Sequence, residues 1–350
     1  MPGLPDFIEL TPAESDFLSS PASEGRLPVR LTAPIAEAMR SSAEAHGGVL
    51  PADDPLRLQF VPRSAELNAA PDELADPLGE TEHSPFPRLV HRYPDRALIL
   101  VTDVCAVHCR YCFRARFTGT NTGAISEIEL NEICTYLSNS PAVREIILSG
   151  GDGLMLPPEV LETVLRHVRT AVPNGVIRIA TRVPVVQPDR VTVRLLGALG
   201  SRAPVWIVLQ VNHVSELAAP AAEGIARLVD AGVPVVCQTV LLRGVNDRVD
   251  ALEDLLVRLV QLRVKPYYLF QTDLAPGTSH FRVDLARALD IVGELRTRVS
   301  GLSLPEFAVD IPGGGGKVPL EPSAIVETTA TGYLLMGPDG RTHQYPRGDL

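Results

Sequence analysis

A chain of 350 residues that is 45% hydrophobic and 21% charged has the composition of an ordinary globule and the length for one large domain with appendages. Its formal net charge of −10 argues against nucleic-acid binding as its main business and leaves local basic clusters as sites for small anions. Met1–Leu10 lacks a basic start followed by an apolar core, and no apolar run is long enough to span a bilayer, so a cytoplasmic protein without membrane contact is expected.

Residues 1–90 are rich in Pro, Ala and acids. Apolar spacing predicts a helix over Ala33–His46 and a short one over Pro71–Leu78, so this part reads as a mostly helical N-terminal extension with no sheet. From Ala97 onward, short runs rich in Val and Ile alternate with amphipathic stretches. The predicted strands are Ala97–Thr102, Glu145–Ser149, Val176–Thr181, Pro204–Val211, Val233–Leu242 and Pro266–Gln271. The predicted helices are Glu127–Leu137, Pro158–Ala171, Arg190–Leu199, Glu216–Ala231, Asp250–Leu262 and Val283–Val299. Six consecutive β/α units require parallel strands and crossovers. The expected fold is therefore α/β, a partial (β/α)6 barrel over residues 91–320 with its chemistry at the C-terminal strand ends. Residues 321–350 read as a short tail with a hairpin around Gly337-Pro338-Asp339-Gly340.

Five cysteines, three of them clustered, do not make a disulfide framework. Cys134 and Cys237 fall in a helical and a strand pattern and read as small core residues. Cys105, Cys109 and Cys112 follow the first strand at C-x3-C-x2-C spacing. Three thiolates suit three irons of a [4Fe–4S] cubane, whereas a tetrahedral zinc site wants four ligands. Zinc completed by His108 or a distant residue is the weaker alternative, since the chain has no second cysteine pair. A cluster with three protein ligands keeps one iron open, which is what reductive cleavage of S-adenosylmethionine requires. A cluster kept only as a sensor is the non-catalytic alternative.

Ser149, Gly150, Gly151 and Asp152 follow the second strand. Two glycines let backbone come close to a ligand, and exposed amides or carbonyls can grip the amino and carboxylate groups of a methionine moiety. An ordinary βα turn is the other reading. Downstream, Asp310-Ile311-Pro312 leads through four glycines to Lys317. A lysine amine can condense with a pyridoxal aldehyde, and glycines give a close-fitting backbone around a flat ring. A surface loop ending in a solvated lysine is the bland alternative.

Over roughly His91 to Val318 the chain resembles the lysine 2,3-aminomutase family of radical S-adenosylmethionine, pyridoxal-phosphate enzymes. The resemblance is carried by His91-Arg92-Tyr93-Pro94-Asp95-Arg96, the cysteine loop with Arg114 after it, Gly150-Gly151-Asp152, Gln238 through Asp247, Pro266-Tyr267-Tyr268 leading to Asp273, and Asp310 leading to Lys317. It implies a partial barrel of the radical SAM type holding a [4Fe–4S] cluster on Cys105, Cys109 and Cys112. It implies S-adenosylmethionine near Ser149–Asp152 and Gln238, and pyridoxal 5′-phosphate on Lys317 with Arg92, Arg96 and His213 nearby. His213 equally suits a satisfied core histidine.

The resemblance also places Arg114 on the substrate's α-carboxylate and Asp273 and Asp310 on its distal amine. Two buried carboxylates repel unless a cation lies between them, which fits a basic substrate. Glutamate-acting relatives do not carry acids at both positions. The implied activity is a 2,3-aminomutase on a basic amino acid, L-lysine first, with L-arginine or an elongation-factor lysine as alternatives. The implied partners are the amino acid and a reducing donor of flavodoxin or ferredoxin type; a homo-oligomer is left open. Family members with a cysteine-bearing tail bind structural zinc, but this tail has no cysteine, so zinc is not expected.

Overall fold

The computed structural model describes residues 4–5, 7–120, 122–321, 325–329, 332–336 and 341–346. Its centre is a nine-stranded sheet in sequential order. β2 (Arg96–Thr102), β3 (Glu145–Gly150), β4 (Val176–Thr181), β5 (Val205–Gln210), β6 (Val235–Val240), β7 (Lys265–Phe270) and β8 (Glu306–Ile311) run parallel. β1 (Leu89–Tyr93) adds antiparallel to β2, and β9 (Gly316–Pro319) adds antiparallel to β8. The six expected parallel strands are thus present. A seventh, Glu306–Ile311, lies outside the predicted strands; it is held by pairing with β7 and β9 rather than by any local pattern.

The expected β/α alternation is observed. Among the described residues the helices are α1 (Pro12–Ser19), α2 (Ala33–Ala45), α3 (Pro55–Phe60), α4 (Glu127–Ser138), α5 (Pro158–Ala171), α6 (Val183–Val186), α7 (Val193–Gly200), α8 (Ala219–Asp230), α9 (Val249–Gln261) and α10 (Leu285–Arg298). In α5, proline opens the first turn and Leu161, Val164, Leu165 and Val168 bury one stripe at i, i+3, i+4, i+7 spacing. That stripe belongs to the same core as Ile99, Ile146, Leu148, Ile179, Ile207 and Leu209 of the sheet.

The helix expected at Pro71–Leu78 is absent. Backbone and side chains there bond outward instead: Leu74 N–H donates to Leu274 O (2.8 Å), and Glu73 accepts from the N–H groups of Gly277 and Ser279. No helix is long and apolar enough to cross a membrane among the described residues. The turn expected at Gly337–Gly340 lies outside the described residues, but the flanking strands Gly332–Met336 and Thr342–Pro346 pair antiparallel.

The first and last strands of the sheet are drawn together by side chains. Lys317 N–H donates to Tyr93 Oη (2.9 Å), and Arg92 Nη2 donates to Asp310 Oδ1 (3.3 Å). The sheet therefore curls into a nearly closed barrel. Residues 77–83 pack into the remaining gap, where Gly313 N–H donates to Pro77 O (3.0 Å). The glycine run needs its composition here. Gly313, Gly314 and Gly316 adopt positive φ, and a Cβ on Gly314 would lie 2.9 Å from His83 Nε2.

Candidate active site

A cavity of about 500 Å³ opens at the C-terminal ends of the parallel strands. Cys105, Cys109 and Cys112 line it, together with Ser149–Asp152, Gln238, Arg114, Asp273, Asp310, Lys317, Arg92 and Arg96. The structure thus brings together every expected site residue except His213. That side chain is not part of the wall. It caps the turn Val214–Glu216, its Nδ1 accepting from Ser215 N–H (3.2 Å).

The cysteine loop is held from several sides. His108 N–H donates to Arg30 O, and His108 Nδ1 lies 2.9 Å from Pro28 O. Arg110, between Cys109 and Cys112, is buried against Glu66 (2.5 Å) and donates to Leu27 O. The N-terminal segment therefore braces this loop. Beneath it, Arg182 at the end of β4 donates to Cys109 Sγ (2.8 Å) and also bonds Tyr111 Oη and Glu216.

Burial pushes the Cys105 thiol up, with the charges of Asp152 and the other two cysteines adding to it, and pushes Cys112 up to about 11. Iron would supply the positive charge that three clustered thiolates need. No three His, Cys, Asp or Glu side chains among the described residues converge tightly enough for a single metal ion. A cubane asks for a wider set of sulfurs, and three thiols on one cavity wall fit it.

The Gly150-Gly151 turn is built differently from the expectation. Its close approach is to the end of β2 and the start of the cysteine loop: a Cβ on Gly150 would lie 2.4 Å from Thr102 O, and one on Gly151 2.5 Å from Val104 O. Gly151 N–H donates to Thr102 O (2.6 Å). The glycines let β3 tuck under the loop. Asp152 is engaged by the chain itself, accepting from Leu154 N–H, Thr181 Oγ1 and Arg182 N–H at 3.0, 2.5 and 2.6 Å. It orders the ends of β3 and β4.

On the opposite side of the sheet order, β8 and β9 place Asp310 directly opposite Lys317. Lys317 Nζ donates to Asp310 Oδ2 (3.1 Å) and lies 3.7 Å from the Phe270 ring centre and 4.8 Å from that of Tyr268. Burial lowers the Lys317 amine, with the Asp310 carboxylate opposing it. Arg96 stacks over Tyr93, 4.3 Å from the ring centre, and its buried Nε makes no hydrogen bond, with Asp95 Oδ1 3.5 Å away as its ion-pair partner. An amine of lowered basicity beside aromatic rings and two arginines fits a pyridoxal phosphate site.

Asp273, just past β7, is raised to about 7 by burial and by the Asp310 charge, against the pull of Lys317 and Arg114. Arg114 is already paired. Its Nε and Nη2 donate to Glu80 Oε1 at 2.9 and 2.7 Å, and Nη1 donates to Ser149 Oγ (2.9 Å). Glu80 and Arg182 were not anticipated. Glu80 lies 34 positions from Arg114 in a segment without local signal, and Arg182 follows a strand end, a position that could have marked it.

Two family models match the chain: the radical SAM superfamily over residues 99–256 and lysine-2,3-aminomutase over residues 292–349. The L-lysine 2,3-aminomutase of Clostridium subterminale is 41% identical over 288 residues, 82% of this chain and 69% of that protein. That of Bacillus subtilis is 41% identical over 292 residues, 83% of this chain and 62% of that protein. The glutamate 2,3-aminomutase of Clostridioides difficile is 35% identical over 283 residues, 81% of this chain and 67% of that protein. The chain therefore spans between three fifths and seven tenths of these proteins' own length. It belongs to the lysine 2,3-aminomutase family of radical SAM enzymes, isomerases that work with a [4Fe–4S] cluster, S-adenosylmethionine and pyridoxal 5′-phosphate.

Proposed function

We propose that this chain moves the α-amino group of free L-lysine to carbon 3. The observation that carries the substrate is the acidic pair Asp273 and Asp310 sharing one cavity with Arg114 and Lys317. An amino acid bound there would meet one guanidinium and two carboxylates, which suits a carboxylate and a distal ammonium. An acidic side chain would face repulsion from both aspartates.

In this reading Cys105, Cys109 and Cys112 would hold the iron–sulfur cluster, with Gln238 and the backbone of Ser149–Gly151 lining the adjoining space for S-adenosylmethionine. Lys317 would carry the pyridoxal, and Arg92 and Arg96 would offer guanidinium N–H groups to its phosphate or to a carboxylate. When bound, these groups supply the one-electron chemistry and the conjugated ring over which spin spreads during nitrogen migration. The protein fixes both ends of the substrate so that carbons 2 and 3 are presented in one orientation. Asp310 holds the Lys317 ammonium in the cofactor-free chain and, once Lys317 is engaged by the pyridoxal, can pair with the substrate's distal ammonium. The aromatic rings of Tyr268 and Phe270 exclude water from that side. Electrons come from a small reducing protein of flavodoxin or ferredoxin type.

Anaerobic incubation of the reconstituted enzyme with L-lysine and with L-arginine, followed by chiral chromatography, tests the reading. β-Lysine as the dominant product supports it. β-Arginine as the dominant product moves the assignment to arginine. Turnover only on a lysine attached to an elongation factor rejects the free amino acid.

A further inference from the structure

Glu80 enters the cavity wall from the N-terminal segment, and its contacts with Arg114 are one-sided. One oxygen, Oε1, takes both Nε (2.9 Å) and Nη2 (2.7 Å), so it occupies the side edge of the guanidinium. Ser149 Oγ takes one N–H of Nη1 at 2.9 Å. A guanidinium has five N–H groups and these bonds use three, so one N–H on Nη1 and one on Nη2 remain for a ligand.

The other oxygen of Glu80 faces Arg116 Nη2 (3.3 Å), which in turn holds Asp76 (2.8 Å). Asp76 accepts the backbone N–H groups of Glu80 (3.0 Å) and Thr81 (2.8 Å). Glu80 is thus anchored by its backbone and by its second oxygen, and only 8% of it is exposed. An arginine gripped this way has little rotamer freedom left to lose when a ligand arrives.

We infer that Glu80 is a positioning residue for the substrate's α-carboxylate: it fixes Arg114 so that the two N–H groups left over meet that carboxylate. The inference rests on the role proposed above for Arg114. It gives the turn 76–81, far from the cysteine loop in sequence, a part in recognising the amino-acid end of the substrate.

The test is equilibrium dialysis with the unreduced, cofactor-loaded enzyme, so that no turnover occurs, using L-lysine and L-lysinamide, which lacks the carboxylate charge. In Glu80→Gln, lysine binding should weaken at least about tenfold while lysinamide binding stays within about twofold of the parent. Equal weakening of both ligands, no change in either, or tighter lysine binding overturns the inference; the last would mark Glu80 as a competitor. Arg114→Gln separates the two layers of argument. If it removes the preference for lysine over lysinamide and Glu80→Gln does not, Glu80 alone is misassigned. If neither removes it, the Arg114 role itself fails. Should Glu80→Gln not fold, Glu80→Asp keeps the charge, withdraws it by one methylene and must show the same lysine-selective loss; an unchanged ratio overturns the inference.

Discussion

Asp310 and Lys317 face one another across the antiparallel β8–β9 pair, with Nζ 3.1 Å from Oδ2, and the same carboxylate takes an N–H from Arg92 on the first strand. One aspartate thereby ties both edges of the barrel to the lysine that carries the proposed pyridoxal. Asp273 accepts no such bond from Lys317 and senses it only through space.

The two aspartates should therefore differ on mutation. Asp273→Asn removes a partner of the substrate's distal ammonium alone. Breaking one side of a buried charge pair costs about 2–5 kcal/mol, so KM for lysine should rise at least about tenfold, while norleucine, which lacks the distal amine, should bind as in the parent. Asp310→Asn should weaken lysine similarly and also affect norleucine, because Lys317 and Arg92 lose the negative charge they share and one of its two acceptor oxygens. Steady-state kinetics and inhibition constants for both ligands read this directly. Identical lysine constants in parent and both variants would make the acids structural.

Lys317→Ala should abolish turnover and the visible absorbance of bound pyridoxal phosphate, yet leave the iron content at the parent's level, since the cysteines lie on β2's loop and not on β9. Borohydride treatment of the parent followed by peptide mapping should place the pyridoxyl label at Lys317. A label on another lysine would relocate that site.

Much of this was legible in the sequence, for physical reasons. The βα alternation shows because buried parallel strands read as unbroken apolar runs and the covering helices keep a 3.6-residue stripe, as in Pro158–Ala171. Lys317, Asp310 and the cysteines were legible because their chemistry is local to short motifs. Glu306–Ile311 lies outside the predicted strands because its six residues, ending Asp310-Ile311, become a strand only through β7 and β9. Pro71–Leu78 was misread because tertiary bonds from Glu73 and Leu74 pin it as coil against residues 274–279. Gly150 and Gly151 were recognised as close-approach glycines, but what they approach is the chain's own Thr102 and Val104. Glu80 gave no signal, since its meaning comes entirely from Arg114.

Replacing Cys105, Cys109 or Cys112 by Ala should remove the brown iron–sulfur absorbance and all turnover. Among the described residues no three His, Cys, Asp or Glu side chains converge tightly enough to hold an iron in their place. Cys134→Ala and Cys237→Ala, both buried away from the cavity wall, should cost about 1 kcal/mol of packing and keep iron and activity. Iron analysis and thermal melts distinguish the two groups. Full iron in any of the first three variants would rule out that cysteine as a ligand.

Asp273 carries a pH signature. Its folded value of about 7 lies above the ordinary 3.8 because burial and the charge of Asp310, with Glu80 adding to it, outweigh Lys317 and Arg114. Between those two values the folded chain holds a proton that the unfolded chain has lost, so this group's contribution to stability falls as pH rises through that window. Lysine binding goes the other way, since an ammonium needs the ionised carboxylate. The kcat/KM for lysine should climb with pH and level off above about 7, reporting the free enzyme. Asp273→Asn should erase that limb. A limb that persists unchanged in the variant belongs to another group.

Arg182 and Glu216 form a buried pair under the cysteine loop, with Glu216 fully enclosed and its remaining oxygen taken by Gln59 Nε2 (3.1 Å) and the N–H groups of Asn212 (2.9 Å) and His213 (3.0 Å). Arg182→Met leaves that carboxylate charged, buried and short of its cation, which costs about 3–5 kcal/mol. The urea midpoint should fall with an unchanged slope, because the surface exposed on unfolding is the same. Cys109 loses its guanidinium donor in the same variant, so iron retention should drop as well. Adding Glu216→Gln removes the stranded charge and should restore part of the midpoint without restoring the contact to Cys109. Stability and iron are thereby separated: recovery of the midpoint with iron still low assigns Arg182 to both the core and the cluster loop. A parent-like midpoint in Arg182→Met alone would show that the pair contributes nothing to the fold.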